Sequence, residues 1–370
     1  MEKIDFNFTQ DGSVGMYDGI TKDIFHSVTG AKKESFDKFI YSTGFEKFCE
    51  ENNTANVLDI CFGIGYNTKA AIYFALKNNP KIKLKITALE ISKEVAFLSP
   101  FIIDGYETPE INLYLLAHFL QNFDDFIDYI VDYFRKEPDI KKNYFCPDIC
   151  LVFESYINKG YSSKGSKGVL ELLHNIYYQN ISDSMKVGLK ANEWANIYFE
   201  ILFDDGRVSA QNIKSGYNFV FLDAFTPHKQ PLLWSYEFLS LLKSKMDEHG
   251  ILSTYSNSTP VRKTLFDLGF NLGKIILDNS QFGTVASLDK SKIQHELTEY
   301  DYGLMNTKAG IAYRDKNLSD DSATILKNRE EEVSKCDIMS ASEYKRIYGK
   351  IWRCSCWWRS GRNCLCLECR

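Results

Sequence analysis

Five apolar runs, each closed by a turn, constrain this chain more than any other feature. They are NVLDICFG (56–63), LKITALEI (84–91), ANIYFEILFDD (195–205), YNFVFLDAF (217–225) and GILSTYS (250–256). Short apolar runs bounded by turn residues read as buried strands, whereas YNTKAAIYFALKN, LLWSYEFLSLLKSKM and PVRKTLFDLG carry the three-and-four spacing of helices. Strands that alternate with helices predict an α/β fold, a mostly parallel Rossmann-like sheet with helices on both faces. Two further short runs, GKIIL and GTVASL, add strands near its end.

One connection breaks the alternation. Residues 92–196 hold helical patterns such as FDDFIDYIVDYF and GVLELLHNIYY with few strand signals, so they read as a helical insertion. Within it NKGYSSKGSKG, with Lys159, Lys164 and Lys167, reads as a flexible basic loop suited to touching phosphates. The turn-rich start, residues 1–50, is expected to pack beside the sheet as hairpins. The main domain then spans 51–290 with its insertion, and a C-terminal extension spans 291–335, where Asp320, Asp321 and Ser322 are placed to start a capped, charged helix. The tail, 336–370, is expected to be disordered and dispensable. Five of the ten cysteines crowd into its CSCWWRSGRNCLCLEC, but the CxC spacing is not that of common zinc folds, so no metal is expected.

The chain has 370 residues, 44% of them hydrophobic, enough for a sizeable core, and a formal net charge of -5. An acidic balance excludes avid, unspecific nucleic-acid binding and leaves only a local patch for such a partner. No bilayer-spanning run or secretion signal is present, which points to a cytoplasmic protein with no membrane partner.

The chemistry gathers where the strands end. Ligands of open α/β sheets bind at the carboxyl ends of the strands, and three of these runs end on acids: Glu90, Asp205 and Asp223. The first strand closes instead on DICFGIGYNT, whose Gly63 and Gly65 let backbone approach a ligand. This is close to a dinucleotide fingerprint, but Thr68 stands where the third glycine belongs. Glu90, 25 residues after Gly65, is placed to bind both ribose hydroxyls of an adenosine, and one of Asp204 and Asp205 to accept from an adenine amino group. NAD and S-adenosylmethionine both fit such a site, and the missing glycine favours the latter. The bland alternative is that these acids cap turns.

With these residues in place the chain resembles the MnmC-type tRNA methyltransferase family in its stand-alone form. The matching stretches are TQDGS (9–13), FHSVTGAKKES (25–35), LDICFGIGYNT (58–68), Leu89 with Glu90, DDGR (204–207), FLDAFTPHKQPLLWSYEFL (221–239), GILSTYSNSTPVRKTLFDLGF (250–270) and GTVAS (283–287). The resemblance implies S-adenosylmethionine held by Asp59, Gly63, Gly65, Asn67, Glu90 and Asp205, and a catalytic role for Asp223. It implies a tRNA partner, the wobble uridine of the anticodon loop, methylated on its 5-aminomethyl group. His26, Ser27, Phe225, Pro227 and Trp234 would line the substrate pocket, with Phe225 or Trp234 stacking on the base. The chain departs from the family in having Cys61 where a glycine is usual, Asp23 and Phe25 where a Glu and a Tyr are usual, and no flavin-binding oxidase domain. Two other readings stay open: a polyamine aminopropyltransferase-like enzyme, and a non-catalytic tRNA- or protein-binding member of the fold.

Overall fold

The computed structural model describes residues 5–18, 23–24, 30–106, 109–160, 168–180, 194, 196–277 and 280–349. It divides into two units, Met1–Phe225 with Lys245–Tyr255, and Thr226–Ser244 with Ser256–Arg370.

The first unit opens with an antiparallel sheet of β1 (Asp5–Phe8), β2 (Val14–Asp18) and β3 (Asp23–Ile24). The expected hairpins stop there. Residues 31–51 are helical, as α1 (Ala31–Ser35), a π turn (Phe36–Ile40), a short 3-10 turn and α2 (Phe45–Glu51). The reason is the TQDGS turn, which caps a helix. Ser13 Oγ accepts the Ala31 amide at 3.0 Å and Asp11 Oδ2 the Lys33 amide at 2.8 Å. Gly30, at φ 145°, lies so close that a Cβ there would sit 2.1 Å from that carboxylate. Side chains thus satisfy two of the amides that a helix start leaves open.

Then come β4 (Thr54–Ile60), α3 (Tyr66–Asn78), β5 (Lys83–Glu90), the insertion, β6 (Ile197–Phe203), α10 (Gly206–Asn212), β7 (Tyr217–Leu222) and, after an excursion into the second unit, β8 (Met246–Thr254). The five strands are parallel in the order β6-β5-β4-β7-β8. From β4 the chain therefore steps outward to β5 and β6, then returns to build β7 and β8 on the other side. That reversal makes the carboxyl end of β4 the topological switch point. Val57, Leu58, Phe221 and Leu222, which alternate between the two faces, are all wholly buried, as strands covered on both faces require.

The insertion holds α4 (Lys93–Leu98), α5 (Pro109–Asn122), α6 (Phe126–Lys136), α7 (Pro138–Tyr144), α8 (Pro147–Asn158) and α9 (Val169–Asn180). It folds around a phenylalanine cluster: Phe101 stacks on Phe126, tilts against Phe145 and meets Phe134 and Phe153 edge-on, with centroids 5.2–6.4 Å apart. Tyr114 Oη ties it to the sheet by donating to the Ile197 carbonyl at 2.8 Å.

The second unit contains α11 (Tyr236–Lys245), α12 (Thr259–Asp267), the antiparallel pair β9 (Asn271–Leu277) and β10 (Ser280–Ser287), α13 (Glu299–Met305) and α14 (Ser322–Lys335). Asp321 caps α14 by accepting the Thr324 amide at 2.7 Å. Cys354 to Cys369 lie outside the described residues. No helix among the described residues is long and apolar enough to cross a membrane.

One buried ion pair holds the start of the insertion against α3. Lys69 Nζ, fully buried, donates to Asp104 Oδ2 at 2.9 Å and to the Ser99 carbonyl at 2.8 Å, and Asn112 Nδ2 donates to the same Asp104 oxygen at 3.0 Å. Removing one member of such a pair strands the other charge in the core. Asp104→Ala is expected to lower unfolding stability by about 3–5 kcal/mol. Urea denaturation measures it, and a loss below about 1 kcal/mol, the scale of an exposed pair, contradicts the assignment.

Candidate active site

Parallel register sets the geometry. Ile60 of β4 pairs with Leu89 of β5 on one side and with Leu222 of β7 on the other, while Glu90 pairs with Phe203 of β6. Cys61, Glu90, Asp204 and Asp223 therefore leave the sheet at one edge. The expectation that the strand-ending acids meet there holds for the backbone, and the side chains then divide into distinct tasks.

Glu90 is 8% exposed and holds the turn after β4. Its Oε2 accepts the Gly63 amide at 2.7 Å, and Oε1 accepts the Ile91 and Ser92 amides at 2.9 Å each. Burial raises its pKa, opposed by these three amides. The turn itself is left-handed at three positions: Cys61 (φ 67°), Gly63 (φ 55°) and Gly65 (φ 84°). Glycine costs nothing in that region, but Cys61 carries a Cβ there and so stores strain beside the site. Burial pushes its thiol well above the usual range, so Cys61 stays protonated. At Gly65 a Cβ would come within 2.6 Å of both the Phe62 ring and Ser99 Oγ.

Asp59 does not face a ligand. Its side chain is wholly buried, with Oδ2 accepting the Thr68 hydroxyl at 2.6 Å and Oδ1 without a partner. This accounts for the missing third glycine, because Thr68 closes the approach of α3 to β4 with a hydrogen bond in place of bare contact. The expected role of Asp59 as a cofactor contact becomes one of bracing the turn. Burial raises its carboxyl to about 7, with Glu90 adding to the rise and Thr68 opposing it.

Asp205 is half-buried and caps α10 through the Arg207 amide at 2.8 Å, and the Arg207 guanidinium pairs with it at 2.7 Å. Burial works to raise its pKa, but Arg207 outweighs that and holds it low, keeping the carboxylate charged. The capping alternative is thus realised here, with the side chain still 30% exposed toward solvent.

Asp223, just past β7, is partly exposed. Asn67 Nδ2 donates to its Oδ2 at 3.0 Å, the one hydrogen bond to this carboxylate among the described residues. Asn67 was expected to touch cofactor; its amide is instead directed at the acid. Burial and the charge of Glu34 raise the Asp223 carboxyl to about 7, while Asn67 and Lys38 pull it down. Lys38, itself buried, is ion-paired with Glu34 and lies 5.6 Å from the Tyr255 ring centroid. Glu34, Lys38 and Tyr255 went unnoticed in the sequence; the only signal was the four-residue spacing of Glu34 and Lys38 in AKKESFDK.

His26 and Ser27, and with them Lys164 and Lys167 of the basic loop, lie outside the described residues; Lys159 is exposed at the end of α8. Phe225 is half-buried at the end of the first unit. Pro227 and Trp234 belong to the second unit, where Trp234 is wholly buried in the turn Pro231–Trp234. An indole with no exposed surface cannot stack on a base, so that expectation passes to Phe225.

The donor set decides between cofactor classes. Carboxylates only accept hydrogen bonds, and this edge presents Glu90, Asp205 and Asp223. The Gly63 amide, which a dinucleotide would need for its pyrophosphate, is already given to Glu90. An anionic pyrophosphate is repelled here, whereas S-adenosylmethionine offers ribose hydroxyls, amino groups and a positive sulfonium.

Comparison with known proteins agrees. Residues 166–278, which include Asp205 and Asp223, match a family described as S-adenosyl-L-methionine-dependent methyltransferase. An uncharacterized protein of Methanocaldococcus jannaschii is 27% identical over 334 residues, 88% of this chain and 72% of that protein. The solved structure of MNMC2 from Aquifex aeolicus shares the fold with a TM-score of 0.60 and 22% identity, covering 91% of this chain and 87% of that one. Over residues 166–278 the chain thus matches S-adenosylmethionine-dependent methyltransferases, and it shares its fold with MNMC2. The sequence resemblance to the MnmC-type family accords with both the family match and the fold.

Two outcomes follow. A hydrogen bond to a charged acceptor is worth about 1.5–3 kcal/mol, so Glu90→Gln should weaken S-adenosylmethionine binding roughly tenfold or more in a calorimetric titration. Unchanged affinity would place the ribose elsewhere. For Asp59 the folded pKa is raised above an unfolded value of about 3.9. The stability it contributes is therefore full below about pH 4 and is lost as pH rises through about 7. Asp59→Asn should flatten the fall in melting temperature over that window; an unchanged slope would show that Asp59 ionises freely.

Proposed function

We propose that the protein transfers the methyl group of S-adenosylmethionine to the primary amine of 5-aminomethyl-(2-thio)uridine at the wobble position of tRNA. The observation that carries this reading is the placement of Asp223, a carboxylate just past the end of β7 and beside the glycine turn, bonded by the Asn67 amide. It supports amine chemistry because a primary alkylammonium must lose a proton before its nitrogen can attack.

S-adenosylmethionine, when bound, would supply an electrophilic methyl group. Glu90 would hold the ribose, Asp205 the adenine, and Asp223 would receive the proton from the ammonium. The amine lone pair so freed would take the methyl group, with the C–S bonding pair left on sulfur, and Asp223 would then pass its proton to water. A base with a pKa near the working pH is close to optimal for such a transfer. Alignment contributes the rest, since an in-line displacement depends on holding donor and acceptor in reach. Phe225 is suited to stack on an unpaired loop base. The tRNA assignment follows from the motif resemblance and from the fold shared with MNMC2.

Mass analysis of nucleosides, after incubating the protein and S-adenosylmethionine with tRNA that carries the aminomethyl group, tests the reading. A gain of one methyl on aminomethyluridine supports it, and methylation of a polyamine or of no substrate contradicts it. In the same assay Asp223→Asn should cut turnover by roughly a hundredfold or more while the melting temperature holds. In the wild type, kcat/KM should rise as pH increases through about 7, because the base acts only when ionised. A flat profile from pH 5 to 9 would remove Asp223 from the proton transfer.

A further inference from the structure

We propose that Asn67 is a positioning residue for the Asp223 carboxylate, with Ser35 anchoring the far end of its amide. The proposal rests on the methyl-transfer reading above for its catalytic meaning. Its geometry stands apart from that reading. Ser35 Oγ donates to Asn67 Oδ1 at 2.8 Å, and Asn67 Nδ2 donates to Asp223 Oδ2 at 3.0 Å. Ser35 is 1% exposed and Asn67 4%, so water does not substitute readily for either contact.

An amide has a donor end and an acceptor end, and the chain is directional. With Asp223 ionised, only one orientation of Asn67 is bonded at both ends. Turning the amide over would set Oδ1 against the carboxylate oxygen, acceptor against acceptor. The acceptor-only carboxylate therefore sets the orientation of the amide, and Ser35, by donating to the other end, ties that amide to α1. Ser35 is itself placed by α1, whose first amides are held by Ser13 and Asp11. The TQDGS turn is thus linked to the acid through α1, Ser35 and Asn67 in succession. A second contact steadies the π turn that follows α1: Ser253 of β8 donates to the Lys38 carbonyl.

This assigns Asn67 a task different from the cofactor contact that its place in the glycine turn suggests, and the two are separable by experiment. Asp223 is titrated directly by carbon-13 NMR of protein labelled at aspartate carboxyls, its signal identified by its loss in Asp223→Asn. Calorimetry with S-adenosylmethionine and the pH dependence of methylation accompany the titration. Losing a hydrogen bond to the charged form should raise the Asp223 midpoint in Asn67→Ala by about one unit. The ionised fraction at pH 7 then falls about fivefold, and the rate with it, with recovery at pH 9 and unchanged cofactor affinity. Ser35→Ala should move the midpoint in the same direction by less, and it decides the matter if Asn67→Ala does not fold. An unmoved midpoint in a folded variant overturns the proposal, and so does a loss of cofactor affinity without a shift. Should the wild type fail to methylate aminomethyluridine, the functional reading fails while the NMR midpoints still judge the link between Asn67 and Asp223.

Discussion

The pairing of β4 with β5 on one side and β7 on the other is what the site depends on. Parallel strands in this register end together, so the turn after Ile60, the carboxylate of Glu90 and that of Asp223 arrive at one edge with no further adjustment. A slip of one residue would turn Glu90 or Asp223 to the other face of the sheet. The fully buried pairs along these strands penalise such a slip, because every apolar side chain would change sides with the acids. The hydrophobic core thus serves as the ruler that positions the chemistry.

Bringing several acids to one edge is costly, and the structure offsets the cost in different ways. Glu90 is satisfied by three backbone amides, Asp205 by a guanidinium, and Asp59 by one hydroxyl that leaves an oxygen without a partner. Asp59 and Asp223 answer the remaining desolvation by shifting toward neutrality, both to about 7. At Asp223 that shift suits the proposed amine chemistry, in which the carboxylate would take a proton from an ammonium and release it again. At Asp59 it is the cost of bracing the glycine turn from within. A negative edge of this kind also favours a sulfonium over a pyrophosphate, so electrostatics select the cofactor along with geometry.

Much of this was legible in the sequence because strands buried on both faces announce themselves as apolar runs, and the acids that end them stand out. Glu90 and Asp223 were found that way, as was the helical insertion. What stayed hidden were relations between residues far apart in the chain. Thr68 looked like a defect in a fingerprint, and only the 2.6 Å contact shows that it replaces a glycine by bonding Asp59. Asn67 looked like a cofactor contact because its neighbours in the chain are glycines, while its amide reaches across 156 positions to Asp223. TQDGS reads as a hairpin turn, since nothing local reveals that its side chains cap a helix starting at Ala31. Trp234 looked like a stacking platform, and its burial depends on packing that no local pattern encodes.

The central claim is that the carboxyl edge of β4, β5 and β7 holds the cofactor with its sulfur directed at Asp223. A crystal structure of the protein with S-adenosylhomocysteine tests it most directly. The account predicts the ribose hydroxyls on Glu90, the adenine beside Asp205, and the sulfur facing the Asp223 carboxylate, with Asn67 still bonded to that acid. Adenosylhomocysteine bound elsewhere, or bound at this edge with its sulfur turned away from Asp223, would contradict it.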